Sequence, residues 1–185
     1  MIIRAAEVRD AGALAAIYGH AVLHGFGTFE EVPPDAAWMD ARRRDIQGRG
    51  LPYLVAEETG GHGGRILGFA YASPFRPRPG YRFTAEDSVY VAPDAVGRGV
   101  GRAVLAPVVV ACEAAGVRQL VAVIGDSQNL ASINLHRALG FEPSGVGRGF
   151  GFKHGRWVDI VWMQKALNGG AERAPDGPGI DLSGS

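Results

Sequence analysis

One cysteine, Cys112, stands among 185 residues. No intrachain disulfide is therefore possible, and the thiol reads as a small buried apolar residue within a helix. Lysine is almost as scarce: Lys153 and Lys165 are the only two, so arginine carries nearly all the positive charge. The 19 basic and 19 acidic side chains cancel, which removes the strong field that draws nucleic acid or an anionic membrane. No apolar run approaches the roughly 20 residues of a membrane-spanning helix. The opening Met1-Ile2-Ile3-Arg4 has no apolar stretch behind a basic one, so no signal peptide is expected and a cytoplasmic location follows. The five histidines show no ligand spacing, and no metal site is expected. There is no internal repeat.

What is present suits one ordinary globular domain. Residues 2–5 are short and β-branched, as in a first strand. After Asp10, a plausible cap, Leu14, Ile17, Tyr18 and Val22 recur at helical spacing up to Gly25. Residues 25–34 form a loop whose two aromatics, Phe26 and Phe29, need cover from the domain itself or from a substrate. Asp35 caps a second helix carrying Trp38, Met39 and Ile46. Strands at 53–57 and 65–73 flank a glycine turn at 60–64, in which His62 is expected to be exposed and without a role. A proline-rich interruption with Arg76 and Arg78 leads to a strand at 81–91. A helix over 103–115 contains Pro107, which should kink or shorten it. An apolar strand at 119–124, a helix from about 130 to 139 stopped by Gly140, and strands at 141–147 and 156–165 follow, the last two joined by a loop rich in glycine and aromatics. From residue 168 the composition predicts a disordered tail after a single domain of residues 1–167. Strands and helices in this order give an α/β or α+β layered domain.

Between the strand at 81–91 and the next helix lies Val96-Gly97-Arg98-Gly99-Val100-Gly101-Arg102. Glycines let backbone N–H groups turn toward an anion, and the first amides of a helix have no internal partner and sit at its positive end. Arg98 and Arg102 add positive charge for phosphates. No Gly-Lys-Ser/Thr follows the loop, so the residues that a nucleotide-hydrolysing P-loop uses for Mg²⁺ and the terminal phosphate are missing.

The run 84–93, the glycine loop and Asn129-Leu-Ala-Ser-Ile-Asn-Leu-His-Arg-Ala-Leu-Gly-Phe141 together resemble the GCN5-related N-acetyltransferase family. Gly27-Thr28-Phe29-Glu30, residues 121–125 and Phe152-Lys-His-Gly-Arg-Trp-Val-Asp159 look most like its phosphinothricin acetyltransferase branch. The resemblance covers about residues 1–167. It implies a mixed, mostly antiparallel sheet of about seven strands with helices on both faces, and strands four and five splayed around the cofactor's pantetheine arm. It also implies acetyl-CoA as co-substrate, with the amides of Val96, Gly97, Arg98, Gly99, Val100 and Gly101 around its pyrophosphate and Arg98 and Arg102 as side-chain contacts to its phosphates. The family pattern has Arg or Gln at the position of Val96, so a side-chain contact is lost there and the amides remain. Val89, Tyr90 and Val91 would pair with the cofactor along the strand. Asn129, equally a helix cap, would bond the pantetheine with Ser132 nearby.

Acetyl transfer to an amine needs a held thioester, a neutral amine, stabilised charge on the carbonyl oxygen and a proton for the leaving thiolate. By resemblance, Glu86 is the general base and the Val91 amide the oxyanion donor. His136 stands where much of the superfamily has a proton-donating tyrosine, and it can protonate the thiolate or relay a proton. Asp87 should face away from Glu86 and is the weaker candidate. Phe29 and Glu30 could line the acceptor pocket, and Arg76 and Arg82 could grip a carboxylate. Lys153, Arg156 and Trp157 would bound the pocket or a dimer contact.

The acceptor this implies is an amino acid or analogue of the phosphinothricin or methionine sulfone/sulfoximine type, and the enzyme a homodimer. A polyamine, an aminoglycoside or a protein N-terminus remain alternative acceptors. A non-catalytic acyl-CoA sensor remains an alternative class.

Overall fold

The computed structural model describes residues 1–59 and 64–183. Most of the expected glycine turn, with His62, lies outside the described residues. The strands are β1 (Ile2–Ala5), β2 (Tyr53–Glu57), β3 (Ile66–Pro74), β4 (Thr84–Val91), β5 (Gln119–Gly125), β6 (Glu142–Lys153) and β7 (Arg156–Ala166). The helices are α1 (Ala11–His24), α2 (Ala36–Gly48), α3 (Val100–Ala114) and α4 (Leu130–Ala138). The strands form one sheet in the order β1-β2-β3-β4-β5-β7-β6. Among the described residues only β4 and β5 run parallel. This is the mixed, mostly antiparallel sheet expected.

Local chemistry sets the element ends. Asp35 caps α2 by accepting the Trp38 N–H at 2.8 Å. Asp10 precedes α1 but makes no side-chain cap there. It accepts the Glu7 N–H at 2.8 Å and pairs with Arg4 at 2.7 Å. α3 runs through Pro107 without a break. The donor lost at Pro107 is outweighed by the face that buries Val104, Leu105, Val108, Val109 and Cys112.

The register divides the side chains between two faces. Tyr53 pairs with Tyr71, Tyr71 with Ser88, Phe69 with Tyr90 and Ser73 with Glu86, so all of these share one face. Helices α1 and α2 cover it, with Tyr18 edge-on to Tyr90 at 4.8 Å. Asp87, Val89 and Val91 point to the other face, which α3 covers.

Two sequence expectations need correction. The segment after Gly147 is strand, not loop: β6 continues to Lys153 and turns through only His154 and Gly155, at φ 48° and 76°. Two positive φ values suit the primed hairpin turns that match strand twist. Its glycines weaken strand propensity in the sequence, but the long β7 supplies a ladder that overrides it, with register shifts at 143/145 and 147/151. As far as residue 183 the tail forms no helix or strand, yet it is tied to the domain. Buried Arg118 donates to Gly170 O at 3.0 Å, the Ile180 N–H donates to Arg82 O at 2.7 Å, and the Ile180 side chain is buried. Ile180 and Leu182 pack on the core, and backbone carbonyls of the tail take further bonds from Arg49 and Arg118.

The loop at 25–30 is clamped between α1 and the β5–β7–β6 edge. Lys153, 2% exposed, donates from Nζ to Thr28 O at 2.7 Å. Tyr18 Oη bonds Thr28 Oγ1 at 2.9 Å. The Arg156 guanidinium stacks 4.0 Å from the Phe26 ring centroid. Of the loop aromatics, Phe26 is thus partly covered by the domain's own β6–β7 hairpin, while Phe29 stays exposed. Glycine at 125 is required because a Cβ there would lie 2.0 Å from the Phe26 carbonyl oxygen. Gly125→Ala should therefore push the loop off the sheet and cost about 1–3 kcal/mol, measured by denaturant unfolding. An unchanged midpoint would show that the loop is not held by this approach.

Candidate active site

The site begins where two strands part. β4 and β5 pair only from Thr84↔Gln119 to Asp87↔Ala122. On the other side of β4, the Phe75 N–H donates to Thr84 O at 3.2 Å and the Ala92 N–H to Leu67 O at 2.8 Å. Even-numbered residues of β4 thus bond β3, and odd-numbered ones aim their polar backbone groups toward β5. Past Asp87 the β5 ladder has ended, so Val89 and Val91 present N–H and C=O to an open cleft.

That cleft is a cavity of about 510 Å³. Val89, Tyr90, Val91, Val96, Gly97, Gly99, Val100, Gly101, Arg102, Asn129 and Ser132 all line it. Arg98 turns away to Glu58, at 2.9 Å. Gly97 and Gly99 sit at φ +80° and +77°, a conformation that glycine adopts without strain. They deliver the chain into α3 with no side chain over its first free amides. The Asn129 side chain is already engaged: Oδ1 accepts the Ser132 N–H at 3.2 Å and Nδ2 donates to Gly125 O at 3.2 Å. It caps α4 at the cavity wall.

His136, on α4, reaches across to β4. Its Nε2 lies 3.0 Å from Asp87 Oδ2, with both side chains almost wholly buried. Its Nδ1 lies 2.7 Å from Ser132 O, and since a carbonyl only accepts, Nδ1 carries a proton. Burial opposes a charged imidazole, but the bond and charge of Asp87 outweigh it and raise the His136 pKa. Burial likewise raises Asp87, with His136 pulling it back. The pair holds its shared proton tightly.

Glu86 lies on the opposite face, half-buried. Burial, reinforced by the charge of Asp87, pushes its pKa up to about 7, against the pull of Arg76 and Arg42. The other expected acceptor residues do not converge on it equally. Arg76 is near enough to act on Glu86 and lies over the Phe75 ring at 5.1 Å. Arg82 stacks on Phe83 at 4.8 Å and donates to Pro79 O at 3.0 Å, with its carbonyl taken by the tail. Phe29 is 39% exposed and its ring overlies Gly151. Glu30 is exposed, and its N–H donates to Thr28 Oγ1 at 3.2 Å.

Residues 19–141 match the model of the Acetyltransferase (GNAT) family. The chain belongs to the GNAT acetyltransferase family. It is 51% identical over 174 residues to a phosphinothricin N-acetyltransferase of Alcaligenes faecalis, covering 94% of this chain and 86% of that protein. It is 42% identical to an L-methionine sulfoximine/L-methionine sulfone acetyltransferase of Pseudomonas paraeruginosa, over 90% of this chain and 94% of the relative. The GNAT phosphinothricin acetyltransferase of Sinorhizobium meliloti, solved in complex with AcCoA, superposes with a TM-score of 0.89 at 45% identity, covering 94% and 92% of the two chains. In this GNAT chain the parted strands and the glycine loop share one cavity.

Two residues of the site were hard to read in the sequence. Asp87 was given second rank because alternation sends it away from Glu86. It does point away, and there it meets His136. An acid inside a strand facing a helix needs a partner, which was the available signal. Arg42 falls at helical spacing between Met39 and Ile46, the buried residues of α2, where a charge is out of pattern.

Both members of the Asp87–His136 pair have raised pKa values, so the folded protein binds the shared proton more tightly than the unfolded chain. Its contribution is complete below about 6.5, the ordinary histidine value, and is lost as pH rises through the folded pKa. Unfolding free energies measured between pH 6 and 9 should fall with pH in the parent. Asp87→Asn should flatten that slope, and an equal slope in both would remove the pair as its cause.

Proposed function

We propose that this chain transfers the acetyl group of acetyl-CoA to the amine of an amino acid or analogue, of the phosphinothricin or methionine sulfone/sulfoximine type. The observation that carries this reading is the parting of β4 and β5 beside Glu86. It opens the sheet where backbone donors, a phosphate-binding loop and a carboxyl of near-neutral pKa come together.

The residues fit acetyl-CoA. The amides of 96–102 suit a pyrophosphate, with Arg102 exposed beside them. The unpaired edges of Val89 and Val91 suit the amides of an extended arm, and Asn129 keeps α4 against that wall. Bound there, acetyl-CoA supplies an activated thioester. Glu86, near half-ionised at neutral pH, takes the proton from the incoming ammonium, directly or through water. The Val91 N–H is placed to stabilise charge developing on the carbonyl oxygen. The geometry favours His136 as a positioning residue, because Asp87 and Ser132 hold both of its ring nitrogens. Phe29, Glu30 and Arg76 are the proposed acceptor contacts, with Arg82 farther out. A cytoplasmic site of action is part of the same reading.

Glu86→Gln should lower kcat by about 10²–10⁴-fold and leave the acetyl-CoA Kd, measured by calorimetry, unchanged. The parent kcat/KM should rise with pH through about 7, because the base must lose its proton, and the variant should lose that limb. Turnover is followed as free thiol released with phosphinothricin, methionine sulfone, spermidine and an aminoglycoside. Release with the last two only would replace the proposed acceptor, and undiminished turnover in Glu86→Gln would remove it as the base.

We further propose that the functional unit is a homodimer, with the β6–β7 hairpin covered by a second copy. Val146, Phe150, Phe152 and Trp157 are 49%, 63%, 56% and 66% exposed on that hairpin, a concentration of apolar surface beyond isolated surface residues. Light scattering should give a dimer mass for the parent and a monomer mass for Trp157→Glu. A monomeric parent would refute the assembly.

A further inference from the structure

Arg42 is the one arginine of α2 that no carboxylate pairs with. Arg43 and Arg44 both take Asp40, at 2.6 and 3.1 Å. Just past the helix end, Arg49 takes Asp45 at 2.9 Å. Arg42 instead turns onto the sheet, with its guanidinium 5.4 Å from the Trp38 ring centroid and 5.1 Å from that of Tyr71. Its Nε is buried and bonds nothing; Tyr71 supports its charge, but no carboxylate pairs with it among the described residues. A half-buried cation without an anion is costly to keep. A planar guanidinium between aromatic faces is also a preformed receptor for a carboxylate.

Its surroundings say where that anion would sit. Tyr71 stands opposite Ser88 on the face that also carries Glu86. Arg42 is close enough to draw the Glu86 carboxyl downward, but forms no ion pair with it. A second unsatisfied group is beside it: Tyr53, 1% exposed, has a hydroxyl without a partner and its ring stacks 4.8 Å from Tyr71.

We propose that Arg42, framed by Trp38 and Tyr71, receives the α-carboxylate of the acceptor and so presents the amine on the same carbon to Glu86. This rests on the amino-acid reading above and assigns its main anion contact to α2.

The test compares methionine sulfone with its carboxamide, which keeps the amine and removes the negative charge. Both are assayed with the parent, Arg42→Met and Arg42→Lys, alongside the acetyl-CoA KM and thermal unfolding. The parent should favour the acid. Arg42→Met should raise the KM for the acid about 10- to 100-fold, the worth of a charged hydrogen bond. Its acetyl-CoA KM and its KM for the amide should change little, and Arg42→Lys should fall between. A merely structural role would raise both acceptor KM values together. A parent-like acid-to-amide ratio in Arg42→Met overturns the proposal, and Arg42→Lys decides it if the methionine variant does not fold. A parent that fails to distinguish acid from amide sinks the amino-acid reading itself, whatever Arg42 does.

Discussion

The architecture depends on where one parallel strand pair stops. β4 and β5 are joined for four residues and then part, and the opening is useful only if its walls stay fixed. The buried bond between Asp87 and His136 stands at that fork. It fastens α4 to the last paired residue of β4, so the helix that lines one wall cannot drift from the strand that forms the floor. A desolvated acid is costly alone; beside an imidazole it becomes a rivet whose failure would leave a buried charge without compensation.

The sheet also separates two tasks. The α3 and α4 side carries glycine amides and capped helix ends, chemistry suited to an anionic, extended ligand. The α1 and α2 side carries Tyr18, Trp38, Tyr71 and Tyr90 around Glu86 and Arg42, chemistry suited to a small zwitterion. Adjacent residues on one strand, Glu86 and Asp87, serve the two sides because β-strand side chains alternate. The parted strands are the only place where these environments need to communicate.

Most of this was legible from the chain. Period and caps located the elements to within a few residues, as with Asp35 before α2 and Gly25 after α1. The glycine loop declared its chemistry through composition. What stayed hidden were contacts between distant segments. Nothing local tells that Asp87 meets a histidine 49 residues away, or that Lys153 reaches a carbonyl 125 residues earlier. The β6 strand was obscured for a different reason: its glycines suppress the local signal, and the pairing with β7 that makes it a strand is itself the missing information. The tail is a similar case, because its attachments are contacts of Ile180 and Leu182 and bonds from Arg49 and Arg118, all far off in sequence.

The scarcity of lysine acquires a meaning once the buried position of Lys153 is known. An enzyme that keeps an activated thioester beside a base is exposed to its own nucleophiles. Of the two lysine amines this chain contains, Lys153 is 2% exposed and spends its protons on Thr28. Lys165 is half-buried at the far side of β7, with its ammonium near Gly140. With arginine carrying most of the positive charge, the protein offers few side-chain amines to an acyl donor.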